Sequence, residues 1–267
     1  MAISVKGGSI MKYGFIGSGN MGGAIAKAVS ARCCDLAVTD RSGKAKALGF
    51  PYTTAGDIAK NAERIFLGVK PQMMPGVLEQ LRPILQARKP LLITMAAGLT
   101  MERIDALAGG GFPIIRIMPN TPTAIGRGVI QYCANGLVAE DVLADWLADM
   151  APCGLVDQLD EKLIDAASAL SGSGPAYMYI FLEALADGAV ACGIPRQKAY
   201  EYAAMTMAGS AEMYLQTKQH PGILKDAVCS PGGSTIAGVK ALEEGGLRAA
   251  AMNCVIATCN RNKELGK

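Results

Sequence analysis

A doubly wound α/β domain followed by an all-α domain is what this sequence predicts, and three observations carry the prediction. Short β-branched runs alternate with helical stretches over the first half of the chain. A glycine-rich turn joins the first of these runs to the first helical stretch. Near Asp157 to Asp160 the strand-like runs stop, and an alanine- and methionine-rich helical pattern continues to the end. Continuous apolar strands imply a sheet covered on both faces, and alternation with helices implies parallel crossovers.

The strand candidates are "YGFI", "LAVT", "RIFLGV", "LLITM", "IIRIM" and "VIQYC", with helices such as Ala24 to Ala31 and Val77 to Leu85 between some of them. In "KYGFIGSGNMGGAIAKAV" the residues Gly17, Gly19 and Gly22 keep the G-x-G-x-x-G spacing, directly after a strand and directly before a helix. Gly17 permits the tight turn, Gly19 lets a pyrophosphate approach the backbone, and Gly22 allows the helix to pack closely on the strand. Ile16, Ser18, Asn20 and Met21 complete this expected dinucleotide loop, whose helix N-terminus faces the phosphates.

The tip of the second strand bears on the choice of cofactor. Asp40 there suits a ribose 2′-hydroxyl and NAD, whereas Arg41, Ser42 and Lys44 suit a 2′-phosphate. NADP is the expected cofactor, with NAD the alternative. Val69, Lys70 and Pro71 follow the third strand, Ala96 and Ala97 the fourth, and Asn120 in "IMPNTPTAIG" the fifth. Ligands of open parallel sheets lie at the carboxyl ends of strands, so these residues are expected to line the same crevice; each is otherwise an ordinary strand-end turn.

The helical half parses by its punctuation. Gly193 stops a helix that begins near Ser173-Gly174-Pro175, and a second helix runs from about Pro195 to Lys218. Both are apolar on nearly every face, more than one core-facing stripe requires, which predicts a dimerisation module; the alternative is a compact monomeric bundle. The expected division is a leader or frayed start at 1–11, a dinucleotide-binding domain at 12–158 and a helical dimerisation and substrate domain at 159–267.

Composition narrows the function classes. The chain has 267 residues, 51% of them hydrophobic and 18% charged, which fits a packed globular protein. A net charge of +3 with no long basic run argues against nucleic acid as a partner. Eight scattered cysteines without a Cys-x-x-Cys pair point to a reduced, cytoplasmic protein, and a single histidine, His220, leaves little to build a metal site from. The longest apolar stretch is broken by Glu183 and Asp187, so no membrane span is expected.

Taken in order, "GFIGSGNMG", "VKPQ", "AAG", "MPNTP", "LSGSGPAY" and "HPGILKDAVCSPGGSTI" resemble the pyrroline-5-carboxylate reductase family, from about Lys12 to the C-terminus. The resemblance implies an N-terminal Rossmann-type domain, an all-helical C-terminal domain that interlocks with a second subunit, and NAD(P)H-dependent reduction of 1-pyrroline-5-carboxylate to L-proline. It also gives a task to the second glycine loop, Ser230-Pro231-Gly232-Gly233-Ser234-Thr235, which leads into a helix. The N–H groups of Gly233, Ser234 and Thr235 are then expected to take the substrate carboxylate, and Thr235 matches the family threonine placed near the ring nitrogen. Without the resemblance this loop is equally a Gly-Gly turn with Ser234 as an ordinary N-cap.

Glu161 matches an acidic family position facing the substrate, or is a carboxylate in the first turn of a helix. Lys218 and Ala227 depart from residues found in some relatives, and His220 reads as a turn residue rather than a general acid. Two rivals remain. A β-hydroxyacid dehydrogenase or imine reductase would place a lysine or aspartate acid on a long helix, and no such lysine stands out in "AYMYIFLEALADGAVACGI". A non-catalytic dinucleotide sensor would have no use for Thr235.

Overall fold

The computed structural model describes residues 11–265. Except for Met11, the expected leader at 1–11 lies outside the described residues. The chain divides into two compact units: one runs up to Ser173 and takes in Thr258 onward, and the other is Gly174–Ala257.

The first unit is built on a sheet of β1 (Met11–Ile16), β2 (Leu36–Thr39), β3 (Ala62–Leu67), β4 (Leu91–Thr94), β5 (Ile114–Met118), β6 (Gly128–Ala134) and β7 (Gly154–Gln158), in the order β2-β1-β3-β4-β5-β6-β7. From β1 the chain winds outward to β2 and then back to β3, so the strand order reverses between β1 and β3 and leaves a crevice at their carboxyl ends. Its helices are α1 (Asn20–Val29), α2 (Ala55–Asn61), α3 (Met74–Arg88), α4 (Met101–Ala108), α5 (Glu140–Met150) and α6 (Glu161–Ser171).

Alternation along β1 sends Tyr13 and Phe15 into one core and Ile16 into the other. On the first face Phe15 stacks on Phe66 with ring centroids 4.4 Å apart, and Trp146 of α5 meets Tyr132 edge-on at 5.3 Å. On the second face Ile58, Leu78, Leu85 and Ile104 of α2, α3 and α4 close over Ile65 and Leu92. Both faces are therefore covered, and the strands from β1 to β6 are largely buried as apolar runs.

Two details differ from the sequence expectation. The strand β6 runs antiparallel to β5, because residues 119–127 between them hold only a short 3-10 turn, too little for a parallel crossover. A seventh strand, β7, pairs parallel to β6 after α5 and carries the sheet through Asp157 and Gln158, where the apolar texture has already changed. Packing also places α6 with the sheet, since Ile164, Ser168 and Ala169 are buried, and this compact unit runs to Ser173.

The second unit is helical: α7 (Gly174–Ala191), α8 (Arg196–Thr217), α9 (Pro221–Ala227), α10 (Ser234–Glu244) and most of α11 (Leu247–Leu265). Gly193 takes a φ of +94° just past α7, and α8 agrees closely with the predicted helix. Of the 18 residues of α7 only Ala186 is buried.

Candidate functional site

The glycine turn after β1 is built by close contact. Gly17 takes a φ of +96°, which side-chain-bearing residues rarely adopt. The N–H groups of Gly17 and Ser18 both donate to the Thr39 carbonyl, at 2.9 and 3.0 Å, which ties the turn to the end of β2. A Cβ on Gly68 would stand 2.5 Å from the Gly17 carbonyl oxygen, and one on Gly22 would stand 2.7 Å from that same atom. Gly19 differs: nothing lies within 4 Å of where its Cβ would be. It caps α1, and no side chain supplies the cap. The first N–H groups of α1 thus point past an open glycine, where the helix dipole favours a phosphate.

Around this turn, several expected site residues spend their side chains on the fold. Ile16 is in the core, and the buried Ser18 hydroxyl donates to the Phe15 carbonyl at 3.3 Å, so both can meet a ligand only through their backbones. Asn20 is exposed and Met21 half-buried. Val69 and Pro71 are half-buried, and Lys70 is exposed after β3. Ala96 is buried after β4, its N–H donating to Thr94 Oγ1 at 3.3 Å, while Ala97 is exposed. Asn120 is also turned inward: its Nδ2 donates to the Ser171 carbonyl at 3.0 Å and its Oδ1 accepts from the Val129 N–H at 2.9 Å.

The tip of β2 settles where Asp40 points. Its carboxylate accepts from the Ser42 hydroxyl, from the N–H groups of Ser42 and Lys44, both at 3.2 Å, and from Ala45 N–H at 3.1 Å. Burial raises the Asp40 carboxyl, but the hydrogen bonds from Ser42, Ala45 and Lys44 outweigh it and hold its pKa below the ordinary value. Asp40 therefore closes its own loop, and Arg41 and Ser42 stand exposed beside it.

Glu161 begins α6, and its Oε1 accepts from the Met101 N–H at 2.7 Å and from Arg116 Nη1 at 3.4 Å. Of the two readings the sequence allowed, the geometry matches the structural carboxylate in a first helical turn. Arg116, almost wholly buried, also meets Asp165 at 2.6 Å. Sequence reading overlooked Arg116 and Asp165, and took Gly68 only as the start of a crevice-lining strand-end segment, "GVKPQ", not as the close contact of Gly17. The available signals were a lone arginine in the apolar run "IIRIM" and two acids four residues apart on α6.

In the second unit, Gly233 is the N-cap of α10 and Ser234 its first residue, with no side chain capping it. The Gly233 N–H, expected to be free, donates to the Ser230 carbonyl at 3.0 Å and closes the turn, in which Gly232 takes a φ of +70°. The N–H groups that open the helix are then those of Ser234 and Thr235. Ser230, Ser234 and Thr235 are exposed. His220 is a cap, its Nδ1 accepting the Gly222 N–H at 3.0 Å. Among the described residues no cluster of three His, Cys, Asp or Glu side chains forms a metal site, and no helix is long and apolar enough to cross a membrane.

Comparison with known proteins finds two family models, one in each half of the chain. Residues 12–98 match the family model described as "NADP oxidoreductase coenzyme F420-dependent", and residues 161–265 match the model for pyrroline-5-carboxylate reductase dimerisation. The chain is 38% identical over 267 residues to the pyrroline-5-carboxylate reductase of Arabidopsis thaliana, covering 96% of each chain. It is 39% identical to that of Escherichia coli, covering 96% of this chain and 98% of the relative. Among solved structures, the pyrroline carboxylate reductase of Plasmodium falciparum with NADP bound superposes with a TM-score of 0.88 at 32% identity, covering 97% of this chain and 100% of that one.

Proposed function

This chain belongs to the pyrroline-5-carboxylate reductase family, and from that premise we propose that it reduces 1-pyrroline-5-carboxylate to L-proline with NADPH as preferred donor. The observation that carries the reading is a pair of helix N-termini, α1 and α10, each capped by a glycine and by no side chain. Two anions must be held in this reaction, a cofactor pyrophosphate and a substrate carboxylate, and each glycine-capped helix offers free N–H groups and a favourable dipole to one of them.

Bound NADPH supplies the hydride that reduces the C=N carbon. The chain's own work is to hold and orient. Gly17, Gly19 and Gly22, with the backbones of Ile16, Ser18, Asn20 and Met21, cradle the pyrophosphate. Arg41 and Ser42 take the 2′-phosphate, a role supported by the inward turn of Asp40. Val69, Lys70, Pro71, Ala96, Ala97 and the Asn120 backbone line the remainder of the crevice at the strand ends. The Ser234 and Thr235 N–H groups hold the substrate carboxylate, Ser230 and Gly233 shape that loop, and the Thr235 hydroxyl is the hydrogen-bond partner of the ring nitrogen, which ends as a protonated amine. With its oxygen engaged by Met101 and Arg116, Glu161 is proposed as a support rather than a substrate contact.

The working protein is proposed to be a homo-oligomer through its C-terminal helices, acting in the cytoplasm at the last step of proline biosynthesis, without nucleic acid as a partner. Purified protein mixed with NADPH and 1-pyrroline-5-carboxylate should consume NADPH and yield proline. Cofactor binding without turnover would sink the enzyme reading in favour of a dinucleotide sensor.

A further inference from the structure

Helix α6 grips two of the turns that follow the strands. At its start, Glu161 Oε1 accepts the Met101 N–H at 2.7 Å. One turn later, Asp165 Oδ1 accepts the Gly98 N–H at 3.4 Å. At its end, the Ser171 carbonyl accepts from Asn120 Nδ2 at 3.0 Å. The segment from Ala96 to Met101, which follows β4, is thus held at two of its N–H groups by carboxylates that stand four residues apart on one helix face.

Those carboxylates are themselves fixed from below. Arg116 on β5 is 1% exposed and reaches Asp165 with Nη2 at 2.6 Å and Glu161 with Nη1 at 3.4 Å, while its Nε is buried with no partner among the described residues. A desolvated guanidinium tolerates such a place only when the carboxylates opposite hold still. The back of α6 is fixed as well, because Asn262 Nδ2 donates to the Asp165 carbonyl at 3.0 Å and to Ser168 Oγ at 3.1 Å. So Asp165, paired with Arg116, offers the backbone of the loop a fixed acceptor.

We infer that Asp165, locked by Arg116, is a positioning residue for the cofactor: it sets the backbone of the Ala96–Met101 loop at the carboxyl end of β4. This rests on the proposal that the loop lines the cofactor crevice. Displacing such a loop by a fraction of an ångström weakens cofactor binding while leaving the substrate-binding loop of α10 as it was.

The test compares Asp165→Ala with Asp165→Asn in the full-length protein. Asp165→Ala is expected to raise the Kd and the KM for NADPH about tenfold, with the KM for 1-pyrroline-5-carboxylate changed less than about twofold. Asp165→Asn keeps an acceptor for Gly98 but loses the ion pair, and should fall between; it is the deciding variant if Asp165→Ala does not fold. Hydrogen exchange should show the Gly98 and Met101 amides protected in the wild type, the Gly98 amide released in Asp165→Ala and partly protected in Asp165→Asn. Wild-type protein that fails to bind NADPH would overturn the cofactor reading and this inference together. Wild-type protein that binds NADPH, with folded variants that bind it equally well, would overturn the inference alone.

Discussion

A Cβ on Gly17 would stand 2.5 Å from the carbonyl carbon of Gly68, so the ends of β1 and β3 meet through two residues that have no side chain. Gly17 also needs its φ of +96°. Gly17→Ala is therefore expected to lose both stability, by more than ~1 kcal/mol, and NADPH binding. Gly19→Ala separates the two, because its Cβ enters open space and an N-cap alanine costs only about 1 kcal/mol or less. That variant should unfold in urea nearly like the wild type and still bind NADPH at least tenfold more weakly, since the methyl group would occupy the place of the pyrophosphate. Equal losses of stability in the two variants would count against the cradle.

Arg41 is exposed, while Asp40 beside it is tied to the N–H groups of Ser42, Lys44 and Ala45. A charge-assisted pair with a 2′-phosphate disappears in Arg41→Ala, which should cut kcat/KM for NADPH by roughly 10- to 100-fold and leave that for NADH within about twofold. Steady-state kinetics with both cofactors reads this directly. A parallel fall with NADH would mean that Arg41 supports the loop rather than the phosphate.

At the amino ends of β1 and β3 an ion cluster joins Lys12 and Arg64 to Asp145 and Asp149 of α5. Lys12 Nζ meets Asp145 at 2.9 Å and Asp149 at 2.7 Å, Arg64 Nη2 meets Asp145 at 2.6 Å, and the Tyr13 hydroxyl donates to Asp149 at 2.8 Å. The Lys12 hydrogen bond, against a burial penalty and with help from Arg64, holds the Asp145 carboxyl below its ordinary value of 3.8. A depressed folded pKa contributes stability that is full above the unfolded value and is lost as pH falls through the folded one. For Lys12, burial works downward but the hydrogen bonds to Asp149 and Asp145 outweigh it and raise the pKa above 10.5. Its contribution is full below that value and fades as pH rises through the raised one. Urea titrations should show a plateau between these limits, and Asp145→Asn should flatten the acid limb below pH about 4. Asp149 is buried, so Asp149→Ala should cost ~1–3 kcal/mol at neutral pH by leaving the buried Tyr13 hydroxyl without its acceptor and Lys12 with Asp145 alone.

Much of this fold is legible from sequence because burial on both faces writes strands as apolar runs. The strand β7, "GLVDQ", escapes that rule: it lies at the sheet edge, Leu155 is 59% exposed, and Asp157 and Gln158 are polar. The direction of β6 is not carried by its composition, only by the shortness of residues 119–127 before it. The glycine turn is legible where local backbone geometry demands it, in the positive φ of Gly17 and the close approach of Gly22 to the Gly17 carbonyl. Its counterpart Gly68 is not, since the contact with Gly17 forms only when β1 and β3 pair. Arg116 and Asp165 lie 49 residues apart, and no local pattern announces that they meet. Asn120 shows the opposite hazard: a polar residue in a distinctive turn reads as a ligand contact, yet both ends of its amide are spent holding the turn.

The second unit leaves its apolar surface uncovered. Met178, Tyr179 and Ile180 of α7 are 51%, 64% and 68% exposed, and Met205 of α8 is 75% exposed. Exposed apolar area on this scale marks an interface, and the match of 161–265 to a dimerisation model makes a second copy the expected cover. Sedimentation of the wild type should give a dimer or a multiple of it. Ile180→Asp, which would bury a charge in that interface, should shift the protein toward monomer and reduce turnover with it. A wild type that sediments as a monomer at micromolar concentration would remove the oligomer from the reading.

Thr235 tests the substrate half. It is exposed, stands in the first turn of α10 behind the Gly233 cap, and brings one backbone N–H and one hydroxyl to the same place. Thr235→Ala keeps the N–H and removes the hydroxyl, so carboxylate binding should survive while the partner of the ring nitrogen is lost. The expected result is a fall in kcat of roughly 10- to 100-fold, with the KM for the imine changed by less than about threefold and NADPH binding unchanged. Thr235→Ser keeps the hydroxyl and should restore most of the rate. If the alanine variant instead raised the KM for the imine at constant kcat, the hydroxyl would be binding the carboxylate together with the N–H groups, and the assignment to the nitrogen would have to be withdrawn.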